Sequence, residues 1–511
     1  RCFMAHHLGM SMLAIANYLG DNCVRRAFMH SPDMAAYRQL LEERIPLGAP
    51  VLHLSEAEAD KQILPNSRWE KRGSTIDYAS PQCSLLSNGA YSIMLTESGI
   101  SSASCSDMLI YRAPSKPIGE GHGAEITLTH GGKVRSLLPS PVESGAYMWE
   151  FSEISAEFSC VYDEFTARTS VAVSGAENGE ARTVSVFAKS DIDSASLEFS
   201  FEAVLADASD YVNHPAYWRL GIEARRDQNC ITLHRLPRGN QAECWLCLAC
   251  DKPMAAKAGG SSEDGFLSYP TVAAAVPLSL KAGEKLDVRF ALCLADTPEG
   301  AYSGAQHMLA MGPAEYGAMV SACASVTHMS SRELGGAMDM LQSLWFGGSH
   351  TQLPAKSSLW RCSISGDLPI ICCKDDGDVV SVTKQFCLLR SCGVYADLVF
   401  LTDEGGEYRR PVYSKVRDTL ASHGLEALIG THAGVRLLPT EDAELIESAA
   451  SFIVGEDAHS RRFENAPNFF TQRIRSGSSS VRHEYADNGS FVFYVNQALP
   501  SRVWSSILTN G

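Results

Sequence analysis

Period-two alternation running from about residue 66 to residue 296 constrains this chain more than any other feature. Tyr91-Ser-Ile-Met-Leu, Glu157-Phe-Ser-Cys-Val-Tyr, Thr169-Ser-Val-Ala-Val, Thr183-Val-Ser-Val-Phe, Leu197-Glu-Phe-Ser-Phe-Glu-Ala-Val and Leu286-Asp-Val-Arg-Phe-Ala-Leu are short, rich in β-branched and aromatic residues, and separated by Gly, Asn, Asp and Ser. Successive side chains of a strand point to opposite faces, so each segment has one face to bury and one to spare. Many such strands without helices between them predict a large antiparallel β-sandwich over residues 66–297. Its second face is free to pack against a neighbouring domain.

The flanks have a different period. Residues 1–48 read as helical. A first helix carries Met10, Leu13, Ala14 and Ile15 and stops near Gly20-Asp-Asn, and Ser31-Pro-Asp opens a second with Met34, Tyr37, Leu40 and Leu41 on one face. A first helix this apolar needs partner helices to cover it. Residues 49–65 form a linker, and residues 298–350 return to helix, with Leu334, Met338, Leu341 and Trp345 at helical spacing on a surface to be buried. In residues 351–456 a strand at Leu368–Cys373, a helix at Val382–Arg390, a strand at Ala396–Leu401 and a helix at Tyr413–His423 alternate, which predicts a small α/β unit with a partly parallel sheet. Residues 457–511 are rich in Gly and Ser, with one strand at Phe491-Val-Phe-Tyr-Val. Arg1 in place of an initiator Met, and an end at Gly511 without any closing element, lead us to expect a section of a longer polypeptide.

Composition narrows the partners. Lys and Arg number 43 against 59 Asp and Glu, a net charge of −16 that repels nucleic-acid backbones and anionic lipid surfaces. No window approaches the run of about 20 apolar residues that a membrane-spanning helix requires. The 16 cysteines are scattered through apolar runs rather than set at framework spacings, so they read as reduced, buried thiols of a cytoplasmic section. Cys244-Trp-Leu-Cys-Leu-Ala-Cys250 has the spacing that opens an iron–sulfur run, but a strand would put Cys244 and Cys250 on one face and Cys247 on the other. We expect neither metal nor cofactor.

Three runs, in order, carry a family resemblance. Ala5-His-His-Leu-Gly-Met-Ser with Leu40-Leu-Glu-Glu-Arg-Ile-Pro46 resembles the end of the glucoamylase-like transglycosylase domain of cyclic β-1,2-glucan synthases. Leu85-Leu-Ser-Asn-Gly-Ala-Tyr-Ser-Ile-Met94 and Asp210-Tyr-Val-Asn-His-Pro-Ala-Tyr217 resemble the sandwich that precedes the catalytic barrel of family 94 glycoside phosphorylases and of the same synthases. Leu359-Trp-Arg-Cys-Ser-Ile-Ser-Gly-Asp-Leu-Pro-Ile370 is similar to the segment that follows that sandwich. The resemblance implies a multidomain α+β fold: a large antiparallel β-supersandwich flanked by an N-terminal helical tail, linker helices and a small α/β unit, with residues 457–511 starting a catalytic region. It implies a non-catalytic section of a synthase-like, glycosyl-transferring enzyme whose parent is anchored in the inner membrane. Its partners would be a β-glucan or oligosaccharide, the adjacent (α/α)6 barrel and, in the parent, inorganic phosphate. Two alternatives are a fragment of a β-gluco-oligosaccharide phosphorylase and a carbohydrate-binding or scaffold sandwich. The chain departs from the family pattern at Leu8, where relatives have Gln, at Cys362-Ser363, where they have His-Gly, and at Glu464–Phe470 and Ala498–Trp504.

Phosphorolysis needs a carboxylic acid at the glycosidic oxygen, and the resemblance puts that acid in the barrel, so no catalytic residue is assigned. Five residues are candidates for substrate binding. His6 and His7 stand at a helix N-terminus, where donors can face a sugar hydroxyl or a carboxylate, or they are ordinary helix-end histidines. Trp360 and Arg361 offer a stacking face and a hydrogen-bonding fork for a glucan, or belong to a domain interface. Asp367 could orient a loop at the barrel mouth, or be a turn carboxylate that accepts from nearby donors. The loop with Asn213, His214, Tyr217 and Trp218 combines aromatic faces with polar edges, as sugar sites do, and interdomain packing is its other reading.

Overall fold

The computed structural model describes residues 5–30, 69–77, 81–106, 108–112, 123–139, 146–207, 211, 215–227, 229–238, 241–259, 263–311, 328–346, 354–374, 378–402, 411–455, 482–485 and 491–494. The helix expected from Ser31 and the departures at Glu464–Phe470 and Ala498–Trp504 lie outside these residues. The chain forms two compact units, residues 52–475 and residues 1–51 with 476–511.

The larger unit is built on two antiparallel sheets. The first has ten strands in the order β1 (Glu70–Gly73), β8 (Ala146–Ser152), β9 (Ala156–Val161), β10 (Phe165–Val173), β11 (Gly179–Ala188), β19 (Lys285–Ala295), β15 (Cys244–Cys250), β14 (Cys230–Arg235), β13 (Ile222–Asp227) and β17 (Gly265–Phe266). The second runs β16 (Ala255–Ala258), β18 (Thr271–Leu280), β12 (Ile192–Asp207), β5 (Met108–Tyr111), β4 (Ser101–Cys105), β3 (Tyr91–Thr96) and β2 (Cys83–Ser87). In it β6 (Ala124–His130) pairs with β12 and with β7 (Lys133–Ser136). The inner faces interdigitate as in other sandwiches: Phe199 of one sheet lies 5.5 Å from Phe290 of the other. The six alternating segments named from the sequence fall on β3, β9, β10, β11, β12 and β19, the second of them running one residue past β9 to Tyr162.

Alternation sorts each strand's residues. In β15, Cys244, Leu246, Leu248 and Cys250 enter the inner core, while Trp245, Cys247 and Ala249 join an outer cluster with Ala301, Ala305 and Met308. The three cysteines therefore cannot converge, as the strand period requires. The outer cluster also shows that this face is not left free: helix α4 (Pro298–Ala310) lies on it, started by Thr297, whose hydroxyl accepts from the Gly300 N–H at 3.1 Å.

Between the sheets sits a fully buried polar network. Arg182 Nε donates to Glu180 Oε1 at 2.7 Å, and Tyr91 and Tyr111 hydroxyls donate to Glu180 Oε2 at 3.0 and 2.8 Å. Arg182 Nη2 reaches the Tyr111 hydroxyl at 2.8 Å and Ser101 Oγ at 3.3 Å. Burial opposes the guanidinium's charge, but Tyr111 and Glu180 outweigh it and raise its pKa; burial pushes both tyrosines up, so they remain donors.

Helix α5 (Ser331–Phe346) does more than link. Leu334, Ala337, Met338, Met340 and Leu341 enter the same core as the sandwich, which continues into the α/β part. There β20 (Ile370–Cys373), α7 (Val379–Ser391), β21 (Asp397–Thr402), α8 (Pro411–Ser422), β22 (Val435–Pro439), α9 (Ala443–Ala449) and β23 (Phe452–Ile453) alternate, and the sheet order is β22-β21-β20-β23 with every pairing parallel. The expected partly parallel sheet is thus parallel throughout the described residues. Leu398 and Phe400 of β21 face the main core with Phe386 of α7 and Leu420 of α8, whereas Val399 and Leu401 face a second cluster with Leu359, Cys362 and Ile446. A hydrogen bond of 2.8 Å from Ser92 Oγ in β3 to the Cys392 carbonyl ties the sandwich to the end of α7.

The smaller unit contains α1 (Ala5–Leu19), α2 (Cys23–Met29) and a hairpin of β24 (Arg482–Tyr485) and β25 (Phe491–Tyr494). Leu8, Met10, Leu13, Ile15 and Leu19 of α1 are exposed. No disulfide joins the described cysteines, and all of these are buried except Cys23, a correction to the expectation of uniformly buried thiols. Cys23 follows the left-handed Asp21-Asn22 turn on a short helix with no buried residue. Among the described residues no helix is long and apolar enough to cross a membrane.

Candidate functional site

Three of the five candidates lie in one short segment. Helix α6 (Lys356–Trp360) forms because Leu359, Cys362 and Ile364 are drawn into the second cluster of the α/β part. It closes in a tight turn, with the N–H groups of Cys362 and Ile364 donating to the Leu359 carbonyl at 2.9 and 3.2 Å. Ser363 sits in the left-handed region with φ 58°. Its carbonyl accepts from Arg436 Nε and Nη2 at 3.0 and 2.9 Å.

This turn leaves Trp360 facing outward, 64% exposed, its Nε1 donating to the Ser365 carbonyl at 3.4 Å. Arg361 pairs with Asp442 at 2.9 Å, and Asp367 pairs with Lys356 at the start of the same helix. Asp367 therefore clamps the turn, and its backbone N–H donates to Ser365 Oγ at 3.3 Å. The assembly is an exposed indole bordered by two ion pairs: an apolar face with charged donors and acceptors at its margin.

His6 and His7 are the second and third residues of α1, which belongs to the smaller unit. Among the described residues no group of three His, Cys, Asp or Glu could hold a metal ion.

The aromatic loop is held by a different device. Helix α3 (Pro215–Arg219) lies over the end of β12, with Trp218 packed against Leu109, Val204, Ala206 and Tyr211. The fully buried Arg235 donates to the carbonyls of Leu205 at 2.8 Å, Leu220 at 2.7 Å, Val204 at 2.7 Å and Trp218. Burial lowers its pKa to about 10, still charged at neutral pH. Tyr217 is 49% exposed and the Arg238 guanidinium lies 3.6 Å from its ring centre. Asn213 and His214 lie outside the described residues. Sequence reasoning missed Arg235: a lone Arg in a strand carries no sign that four carbonyls will converge on it.

The sandwich and what surrounds it define a class. Residues 70–258 match the glycosyl hydrolase 94, supersandwich domain family, so the chain carries a carbohydrate-active, family 94-type supersandwich. It is related to cyclic glucan synthases: it is 25% identical over 470 residues to "Cyclic beta-(1,2)-glucan synthase NdvB" of Rhizobium meliloti (strain 1021), covering 80% of this chain and 16% of that protein. The chain thus spans about a sixth of the length of this relative. Solved structures with some likeness include a putative kojibiose phosphorylase from human microbiome, with a TM-score of 0.33, 9% identity and coverage of 63% of this chain and 41% of that one. Another is a bacterial glucoamylase complexed with acarbose, with a TM-score of 0.34, 8% identity and coverage of 69% and 61%.

Proposed function

We propose that this chain is the glucan-holding, non-catalytic section of an enzyme of the cyclic β-1,2-glucan synthase type. The observation that carries this reading is the similarity to NdvB over 80% of the chain, which extends well beyond the sandwich match at residues 70–258. In this reading residues 1–48 are the tail of a glucoamylase-like domain, and the sandwich and the α/β part that shares its core form a frame beside a catalytic barrel. Trp360, Arg361 and Asp367 face the glucan on that frame, with His6 and His7 on the helical tail. Inorganic phosphate acts only in the barrel, no cofactor takes part, and the section lies on the cytoplasmic side of a parent anchored in the inner membrane.

The family match alone would equally suit a fragment of a β-gluco-oligosaccharide phosphorylase, and the longer similarity to the synthase favours the first reading. Incubation of the chain with linear β-1,2-glucan and inorganic phosphate tests it. We expect no glucose 1-phosphate and no new reducing ends. Catalytic release of glucose 1-phosphate would overturn the reading in favour of a phosphorylase.

A further inference from the structure

A cluster around Glu202 lies outside everything assigned above. Strand β12 pairs Glu202 with Thr271 of β18, and at the next residue passes to β5, where Ala203 pairs with Tyr111. The register slips between Ala203 and Ala206, and Leu205 takes a φ of 49°. Such irregularities re-aim side chains at a sheet's margin. Here Glu202, on the outward face, meets residues from three other segments. Its Oε1 accepts from Arg219 Nε at 3.0 Å and from the Tyr211 hydroxyl at 3.4 Å, and lies 2.9 Å from Arg219 Nη2; its Oε2 is 3.8 Å from Arg112 Nη2.

The groups are ordered but not sealed. The side chains of Glu202, Arg112 and Arg219 retain 27%, 23% and 15% of their exposure. Each guanidinium is braced by a ring: Arg219 stands 5.2 Å from the centre of Tyr269 and Arg112 stands 5.6 Å from that of Tyr211. Tyr269 is itself 54% exposed, and Tyr217 and Leu220, on the segment that carries Arg219, are also about half exposed. The four carbonyl bonds of Arg235 fix that segment from beneath, so the array is set before any ligand arrives.

We propose that this cluster is a pyranose-binding subsite for a glucan chain. Tyr269 supplies the stacking ring, and Glu202 with Arg219 and Arg112 supplies the hydrogen-bonding edge. A sugar ring has an apolar C–H face and neighbouring hydroxyls that both donate and accept. The half-exposed Tyr269 answers the first, and a carboxylate locked beside guanidinium N–H groups answers the second. A phosphate ligand would fit less well, because Glu202 stands between the arginines and the net charge of −16 opposes an anion. The proposal rests on the reading of the chain as glucan-holding.

The test is calorimetric titration of linear β-1,2-gluco-oligosaccharides into the full chain. It is carried out on the wild type, on Trp360→Ala so that the other candidate contact is silent, and on Trp360→Ala combined with Tyr269→Ala or with Glu202→Gln. Tyr302→Ala, a half-exposed ring on α4, serves as the control. We expect Trp360→Ala to weaken binding without abolishing it, each added change to weaken it roughly a further tenfold with an unaltered thermal midpoint, and Tyr302→Ala to bind as the wild type does. Tyr269→Ala removes an exposed ring and keeps the test clear of folding defects. Binding unchanged by both, or abolished already by Trp360→Ala, would overturn the subsite and leave the glucan-holding reading intact. A wild type that does not bind would overturn both.

Discussion

Replacing Arg182 by Met tests the energetic reasoning most severely. Arg182 and Glu180 each expose 1% of the side chain and are 2.7 Å apart between the sheets. The substitution keeps most of the apolar stem but leaves the Glu180 carboxylate buried with only the Tyr91 and Tyr111 hydroxyls as partners. Breaking a buried pair in this way costs about 3–5 kcal/mol, because the remaining charge is desolvated without compensation. The pair as a unit contributes far less, since its own desolvation offsets most of the attraction. Glu180→Gln combined with Arg182→Met should therefore recover at least half of the loss. Urea unfolding followed by far-ultraviolet circular dichroism gives both values from the midpoints and slopes. An Arg182→Met variant that loses less than about 1 kcal/mol, or a double variant as unstable as the single one, would refute the argument.

Other outcomes follow from local features. Burial raises the pKa of Glu97 from 4.5 to about 7, against the pull of the Asp77 N–H that it accepts at 2.6 Å. Between these values the folded chain holds more protons than the unfolded one, so this group makes stability fall as pH rises from about 4.5 to about 7, by about 3 kcal/mol, and changes nothing above. Glu97→Gln should flatten that part of a stability-versus-pH curve, and an unchanged slope would contradict it. Ser363→Gly relieves a left-handed residue at φ 58° and should stabilise by about 1 kcal/mol in the same unfolding assay. Burial pushes the thiols of Cys244, Cys250 and Cys293 up to about 12, whereas Cys23 is exposed. Alkylation at pH 8 with peptide mapping should label Cys23 and spare those three; prompt labelling of Cys247 or its strand neighbours would show that β15 is not the closed strand described.

What could be read in advance was whatever repeats along the chain. Period-two spacing assigned the faces of β15 correctly because the side-chain direction of a strand is a local property. It could not say that β11 pairs with β19, Gly179 beside Cys293, because pairing partners are set by chain topology. Strand β20 begins at Ile370 rather than Leu368, as Pro369 has no N–H for the ladder. Helix α7 starts earlier than its apolar spacing indicates because Asp378 caps it, accepting from the Ser381 N–H at 3.1 Å. Strand β1, Glu-Lys-Arg-Gly, shows no strand pattern at all: it is an edge strand held by β8, and edges tolerate charge. In the candidate segment, adjacency made Trp360 and Arg361 visible, but not the pairing of Asp367 with Lys356. The Glu202 cluster was hidden for the same reason, since Arg112, Tyr211, Arg219 and Tyr269 reach it from separate places in the chain and each alone reads as an ordinary surface residue.

The most direct test of the glucan-holding role is a calorimetric comparison of linear β-1,2-glucan with an α-1,6-glucan of matched length, both titrated into the complete chain. Saturable binding of the β-1,2-linked polymer, with at least tenfold weaker binding of the α-1,6-linked one, is the predicted result. Absence of any saturable heat with β-1,2-glucan at millimolar glucose units, from a chain whose unfolding remains cooperative, would contradict it.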